Sequence, residues 1–586
     1  MAGNHSWRLL AVSACSLGLT LALLALLNGA PPVAEAASFT VTKFTDTNDG
    51  TCDADCSLRE AVIAANGNGE ADTITLGAGT YVLSIPGTDE NLSATGDLDI
   101  RGPLTVTGLG PQQTIIDGNG IDRVFDIRSV ANTVVISGVT IVGGSTTGNG
   151  GGIYNSTASL TLINTAVVSN TADRGGGIYI WAGVFTQTAG SVIARNRAGD
   201  GGGLWVDNAS AVLAAGQIVS NTATWWGGGL YVSSGDAALA GTDVLSNSAS
   251  QGGGVYVYEG DVAFSAGQVA HNTASYGAGV LVDRSGAVFA HNDKAFIVHN
   301  HASNRGGGAY VDDAGARLTI AGGQISNNTS GDYGGGVYIN QGVATMSAGQ
   351  VLSNTTRRGG GGVYVAGSSA VFTQTGSSIV AGNVVTNDAF FDGGGGVYVA
   401  SGRAALLGGQ IRHNSAVGGG GVYVYPGNAV LDGVLVVRNT AGQGGGLYVY
   451  EGDVTLSAGQ IASNTATWHG GGVYLRENAA VFTQTGSSVI VGNVVTATAA
   501  ASGGGGVGIL RGRMLLSGGA IVSNTAGNIG GGVYIEQGSA TMIGGHIVSN
   551  TAQLGGGVAV DQETAAFTQT GSALIAHNVA TLSSGG

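Results

Sequence analysis

From Gly150 onward, short aliphatic patches alternate with glycine-rich and polar corners, and one phrase keeps returning: two to four glycines, an aliphatic, usually a tyrosine, then another aliphatic. Its central residue falls at Tyr154, Tyr179, Trp205, Tyr231 and Tyr256, and continues through Tyr398, Tyr423, Tyr448 and Tyr474 to Ala559. Most steps are 25 or 26 residues, with 29 and 28 on either side of Tyr310 and 34 before Tyr398 and before Gly508. A fixed period of this size means a repeat architecture. Each unit holds two further patches, such as Val454-Thr455-Leu456 and Ile461 to Ala466. None keeps a helical period for three turns, so a unit reads as three short strands joined by tight corners. Parallel strands connected this way wind right-handed. The expected fold is therefore all-β, a right-handed parallel β-helix, and sixteen such units at roughly 4.8 Å per coil make a rod of about 75 Å.

Alternation assigns the faces. In Gly336-Val337-Tyr338-Ile339 the aliphatics point inward, so the tyrosine points out and an aromatic column runs along one side. Either the rings stack to stabilise neighbouring coils, or Tyr398, Tyr423, Tyr448 and Tyr474 form a platform for sugar rings. A second column, from Asn170, Asn196 and Asn221 to Asn550 and Asn578, follows the third strand. It reads as a turn ladder, since asparagine tolerates the left-handed conformation and its amide reaches the coils above and below.

The amino-terminal part differs. An apolar run from Leu9 to Leu27 follows Arg8 and leads to Pro31 and Ala34-Glu35-Ala36, the pattern of a cleaved export signal over residues 1–36. An uncleaved anchor helix is the alternative reading, and Val12-Ser13-Ala14-Cys15 also passes for a lipoprotein box. Export places Cys52 and Cys56 in an oxidising compartment, where an even pair is expected to form a disulfide; zinc would need two more ligands, and no histidine lies between His5 and His271. Ser57-Leu58-Arg59-Glu60 has the spacing of a capping box, so a helix of about two turns begins there and ends at Asn66-Gly67, residues able to take the left-handed conformation. It is expected to cover the open end of the coil stack, pinned by the disulfide. Residues 37–66 then form a cap, 67–149 the first coils and 150–586 the repeats.

Cys56-Ser57-Leu58-Arg59-Glu60-Ala61, with Asp72-Thr73-Ile74-Thr75-Leu76, Gly79-Thr80-Tyr81, Gly96-Asp97-Leu98-Asp99-Ile100 and Thr114-Ile115-Ile116-Asp117-Gly118 behind it, closely resembles the bacterial secreted-protein domain named for the string CSLREA. The resemblance covers about residues 38 to 145 and implies a secreted chain whose cap leads into β-helix repeats. The repeats themselves are similar to those of the polymorphic outer membrane proteins, which are autotransporter adhesins; the likeness rests on the glycine pattern and an aliphatic two residues before the asparagine.

Composition narrows the function. Glycine supplies 109 of 586 residues but proline only 6, and charged residues are 10%, so neither collagen nor a charged disordered coil fits. A net charge of -15 opposes nucleic acid and anionic membrane surfaces as partners. Phe372–Ser378 and Phe482–Ser488 are identical and 110 positions apart, so groups of coils were duplicated; the corner after Asn383 carries an insertion including Ala389-Phe390-Phe391. Acidic residues follow the tyrosine strand at Asp207, Glu259, Asp283, Asp312, Glu451, Glu477, Glu536 and Asp561. They read as a solvated edge, or as carboxylates stacked closely enough to hold calcium or act as an acid and base pair. The densest polar set surrounds one irregular coil, with Asp283, Arg284, His291, Asp293, Lys294, His299, His301, Asp312 and Asp313; any catalysis is expected there, on Asp283, His299 and Asp312. No metal set is expected elsewhere. The reading is a secreted or outer-surface rod for display or adhesion, with carbohydrate or cell-surface material as partner and no part of the mature chain embedded in a membrane. A polysaccharide lyase or glycoside hydrolase on the same scaffold is the alternative, and a scaffold that pairs end to end is the third.

Overall fold

The computed structural model describes residues 36–582, apart from 89, 129–131, 388–391 and 500. The expected export signal and the Ala389-Phe390-Phe391 insertion lie outside the described residues. The rest is a right-handed parallel β-helix of about 18 turns.

Each strand pairs in parallel with its counterpart one coil away. Ile153–Asn155 pairs with Ile178–Ile180, Ser159–Ile163 with Gly183–Gln187, and Ala166–Val168 with Val192–Ala194. Three long ladders result, and their inward residues fill the rod: in the coil of Tyr423, Val422, Val424, Ala429, Leu431, Val434 and Val436 are all buried. Burial of an aliphatic side chain of this size stabilises by about 1.5–3 kcal/mol, so every coil is held chiefly by its own interior row.

Most coils of the repeats have four strand segments rather than three. The expected third strand breaks in two: Gly459–Ala462 is followed by Thr465–His469, and Ser463 between them has φ +53°. The short fourth segments form two ladders of their own, of 3 and 12 strands. The left-handed residue of this corner is the one before the asparagine, as at Ser220, His271, Arg438 and Ser523, and not the asparagine itself.

The asparagine is instead buried and bonded on both sides. Asn439 donates its backbone N–H and its Nδ2 to Asn464 Oδ1 (2.9 and 3.0 Å) and its Nδ2 also to the Ile411 carbonyl (2.9 Å), while its Oδ1 accepts from the N and Nδ2 of Asn414 (3.0 Å each). The same bonds repeat from Asn170 to Asn578 and include Asn328, which sits between Asn300 and Asn354. The glycine corner lies against this row: a Cβ on Gly421 would stand 2.5 Å from the Gly446 carbonyl oxygen and 3.0 Å from Asn439 Nδ2, and Gly419 at the start of the corner has φ +58°. Neither position accepts a side chain without strain.

The cap is as its spacing predicts at one end and different at the other. The helix α1 spans Leu58–Ala65, with Ser57 Oγ accepting from Glu60 N and Glu60 Oε2 accepting from Ser57 N. Its end is not left-handed: Asn66 has φ -70°, and its side chain grips the first coil through the Asp99 carbonyl (2.7 Å) and the Arg101 N–H (2.8 Å). Cys52 and Cys56 form a disulfide, which closes the loop before the helix. The pin between helix and coils is the buried Arg59. It donates to the Asp46 carboxylate (2.7 and 3.0 Å) and to the carbonyls of Ser93, Gly96 and Asp97 (3.0, 2.8 and 3.2 Å). Among the described residues, no helix is long and apolar enough to cross a membrane.

Candidate functional site

The tyrosines point away from the aliphatic interior, as alternation requires, yet they are not a free surface. Tyr398, Tyr423, Tyr448 and Tyr474 are 5%, 0%, 1% and 4% exposed, because each ring lies on the next and on the glycine corner. Ring centroids are 4.7 Å apart from Tyr364 to Tyr398 and from Tyr398 to Tyr423, and a Cβ on Gly393 would come within 2.6 Å of the Tyr423 ring. Tyr423 meets Tyr448 edge-on and His469 stacks on Tyr474, so with each ring enclosed by its neighbours and the corner these four cannot receive a sugar; packing of coil on coil is the role the geometry supports.

The earlier part of the column is covered by a second row at the corner, one residue per coil, which gives way to Gly359, Gly393 and Gly418 further on. Trp226, Gln251, Tyr276, Arg305 and Tyr333 are successive backbone partners. Tyr276 meets Tyr310 edge-on with centroids 5.9 Å apart, Trp226 packs on Tyr256 at 6.3 Å, and the Arg305 guanidinium lies 5.3 Å from the Tyr338 ring centre and donates to the Tyr338 hydroxyl (3.2 Å). These side chains remain partly open, Trp226 at 40% and its neighbour Trp225 at 60%. Between the two rows runs a shallow cleft of about 270 Å³, lined by Gln251, Tyr276, Arg305, Tyr310, Asp312 and Asn340.

The fold brings Asp283 and Asp312 together here, one coil apart and in register through Val282 and Val311. With Asp313 they place one carboxylate oxygen each within 4.8 Å of the others, and no other such group occurs among the described residues. This set is the one with the chemistry and spacing to hold a hard cation such as calcium, which takes oxygen ligands. Burial pushes the Asp283 carboxyl above its usual range, against the hydroxyl of Tyr256 and the charge of Arg284. Burial likewise raises Asp312, against a 2.7 Å hydrogen bond from Asn340 and with the charge of Asp283 adding to it. Arg284 bonds Asp313 (3.1 Å) and lies over the Tyr258 ring (5.3 Å).

The histidines do not join them. His299 precedes the asparagine corner with φ +57°, stacked on His271 at 5.2 Å, and the strand Val288–Val298 separates it from Asp283. His301 is on the short fourth strand, bonded to Thr329 Oγ1. His291 is inside the rod, its Nδ1 against the Gly322 carbonyl (3.0 Å), and burial pushes it down to about 4, so the ring is neutral at physiological pH. The side chain of Asp293 is not described.

The acidic column also departs from a purely solvated edge. Asp207, Asp283 and Asp561 accept the hydroxyls of Tyr179, Tyr256 and Tyr534 from the coil before, and Glu477 pairs with Arg511 (3.3 Å). The recurrent separation of 27 or 28 residues between tyrosine and acid, one coil of 25 or 26 plus two, was the signal available for this. Nothing in the spacing marked the corner row of Trp226 and Arg305, because its members share no residue type.

A family profile described as the right-handed beta helix region matches residues 202–379, the stretch that holds this cleft. No curated protein and no solved structure matches the chain.

Proposed function

We propose that this chain is a secreted or cell-surface rod that presents a carbohydrate-binding strip for adhesion. The observation that carries the reading is the corner row Trp226, Gln251, Tyr276, Arg305 and Tyr333, which alternates partly open aromatic and polar side chains coil by coil beside a polar cleft. Aromatic faces with a few placed hydrogen-bonding groups, on a rigid support, are what recognition of a sugar chain requires. The rod supplies that rigidity, and the strip runs along its axis, which suits an extended polymer better than a single small molecule. The test is binding of the purified chain to an immobilised glycan panel. Trp226→Ala and Arg305→Ala are expected to weaken capture about tenfold without lowering thermal stability, while capture unchanged in both variants refutes the reading.

A cleaving enzyme is the second reading, favoured by Asp283 and Asp312 on adjacent coils, both raised by burial, with Asp312 in the wall of the cleft. Polysaccharide hydrolysis needs two carboxylates of this kind, one of them held protonated. Fold alone does not grant that activity. Any glycan bound by the strip serves as substrate in a product assay: new reducing ends that vanish in Asp312→Asn establish the enzyme, and bound but intact glycan establishes the adhesive rod.

A further inference from the structure

The outward column that carries the tyrosines begins with two aspartates. Asp99 and Asp126 are backbone partners on neighbouring coils, and Tyr154 follows Asp126 on the same line. Both aspartates are fully buried. Asp126 Oδ2 accepts from Arg123 (2.8 Å) and Arg128 (3.0 Å), and Asp99 Oδ2 accepts from the Ser93 N–H (2.8 Å). The second oxygen of each, Asp99 Oδ1 and Asp126 Oδ1, is buried without a hydrogen-bond partner. Stranded buried oxygens are expensive, at about 1–3 kcal/mol each or more for a charged group.

The other groups facing the pair do not relieve it. Asp97, Asp122 and Glu90 add negative charge, and Arg123 and Arg128 oppose it. Arg123 is shared between Asp97 (3.0 Å) and Asp126, Tyr154 lies under the Arg123 guanidinium at 5.7 Å, and Arg59 is spent on Asp46 and on carbonyls. Asp97, Asp99, Asp122, Asp126 and Glu90 against Arg123 and Arg128 leave three negative charges in excess (5 − 2 = 3). Two adjacent carboxylates with one idle oxygen each, in a site already short of positive charge, lack a hydrogen between them, and Arg123 Nε, buried and itself without a partner, does not supply it.

We propose that Asp99 and Asp126 share one proton, carried on Asp99 Oδ1 and donated to Asp126 Oδ1, so that the amino-terminal cap is a latch that loosens when this proton leaves for solvent. The strand that bears Asp99 is the one the cap grips, through Asn66 on the Asp99 carbonyl and Arg59 on the Gly96 and Asp97 carbonyls. Like charge on neighbouring coils pushes apart the strands that α1 covers. The electrostatics agree: burial, with Asp126 and Glu90 adding to it, raises Asp99 to about 7, and burial raises Asp97 to about 8. A carboxyl raised in the folded state contributes stability that is complete below the ordinary carboxylate range and is lost as pH rises through the folded value. Two such groups titrate as a set, so the transition belongs to the cluster.

The test is hydrogen–deuterium exchange of the full chain near pH 5.5 and pH 8.5, corrected for intrinsic exchange, reading 58–66 and 93–100 with 410–470 as internal reference. A shift from the ordinary value of 3.8 to about 7 predicts that cap opening rises roughly thirtyfold between these two pH values. Asp99→Asn keeps the Ser93 contact and donates an amide hydrogen to Asp126, so its response is expected to be smaller by that thirtyfold factor, what remains belonging to Asp97. A flat response in the unmodified chain overturns the proposal, and so does a full response in Asp99→Asn. A cap open at both pH values in Asp99→Asn overturns it as well. Loss of the response in Asp97→Asn alone moves the proton to Asp97 and also overturns it, as does protection that follows added calcium instead of pH.

Discussion

Replacing Asn439 by alanine removes a side chain that makes four hydrogen bonds: two accepted from Asn414, one donated to the Ile411 carbonyl and one to Asn464 Oδ1. The backbone N–H of residue 439 still reaches Asn464 Oδ1, and Asn414 Nδ2 still reaches the Val380 carbonyl (3.0 Å). Two buried donors are stranded, namely the Asn414 N–H and one Asn414 Nδ2 hydrogen, while the Ile411 carbonyl stays in the strand ladder. At about 1–3 kcal/mol per stranded group the loss is about 2–6 kcal/mol, and a water entering the gap brings it to the lower end. Because each coil touches only its neighbours, the damage stays local. Hydrogen exchange resolves this: segments 411–418, 434–443 and 459–466 are expected to open at least roughly thirtyfold more readily, the equivalent of about 2 kcal/mol. Segment 178–232 is expected to be unchanged. Acceleration under fivefold around residue 439, or an equal rise throughout the rod, would refute a ladder that binds neighbour to neighbour.

Further outcomes concern the interior and the cap. His291 is held neutral, its value lowered from 6.5 to about 4 by burial, so stability is complete above pH 6.5 and falls by about 3 kcal/mol as the pH drops toward 4. His291→Gln, which places there the residue that Gln374 supplies on the same interior row three coils on, is expected to abolish that acid sensitivity in thermal scans at pH 7 and pH 4.5. Arg59→Ala leaves Asp46 unpaired and is expected to cost the cap about 3–5 kcal/mol, read as early proteolysis within residues 38–66 while the repeats resist. Arg59→Lys keeps the charge but not the planar fork over three carbonyls, and is expected to restore less than half of that loss.

The repeat period, the inward aliphatics and the capping box were legible because each depends on spacing within one strand or one turn. Burial of the tyrosines was not. It depends on which residue of the preceding corner stands beside the ring, and Gln251, Tyr276, Arg305 and Gly359 look like unrelated spacers until the coils are in register. The left-handed position failed for a related reason: it is occupied by serine, histidine and arginine as well as asparagine, so no residue type advertises it, whereas the constant asparagine beside it drew the assignment. Asn328 escaped because Asn327 stands next to it, and only the ladder tells which of the two turns inward. At the candidate site the pair Asp283 and Asp312 followed from their common offset to the tyrosine strand, while His299 was near in sequence only; a coil returns a residue to its neighbour's side after a full circuit, not after a few positions.

The bonds that join coil to coil lie along the rod, and this decides how it answers tension. Pulled from its two tips, such a spool parts at one interface at a time, since no bond beyond the outermost coil shares the load. Every circuit of 25 or so residues that pays out lengthens the tether by roughly 80 Å, against the 4.8 Å it occupied when wound. A rod anchored at one end and gripping a surface at the other would therefore yield in many small releases and keep its hold under a drag that would snap a single joint.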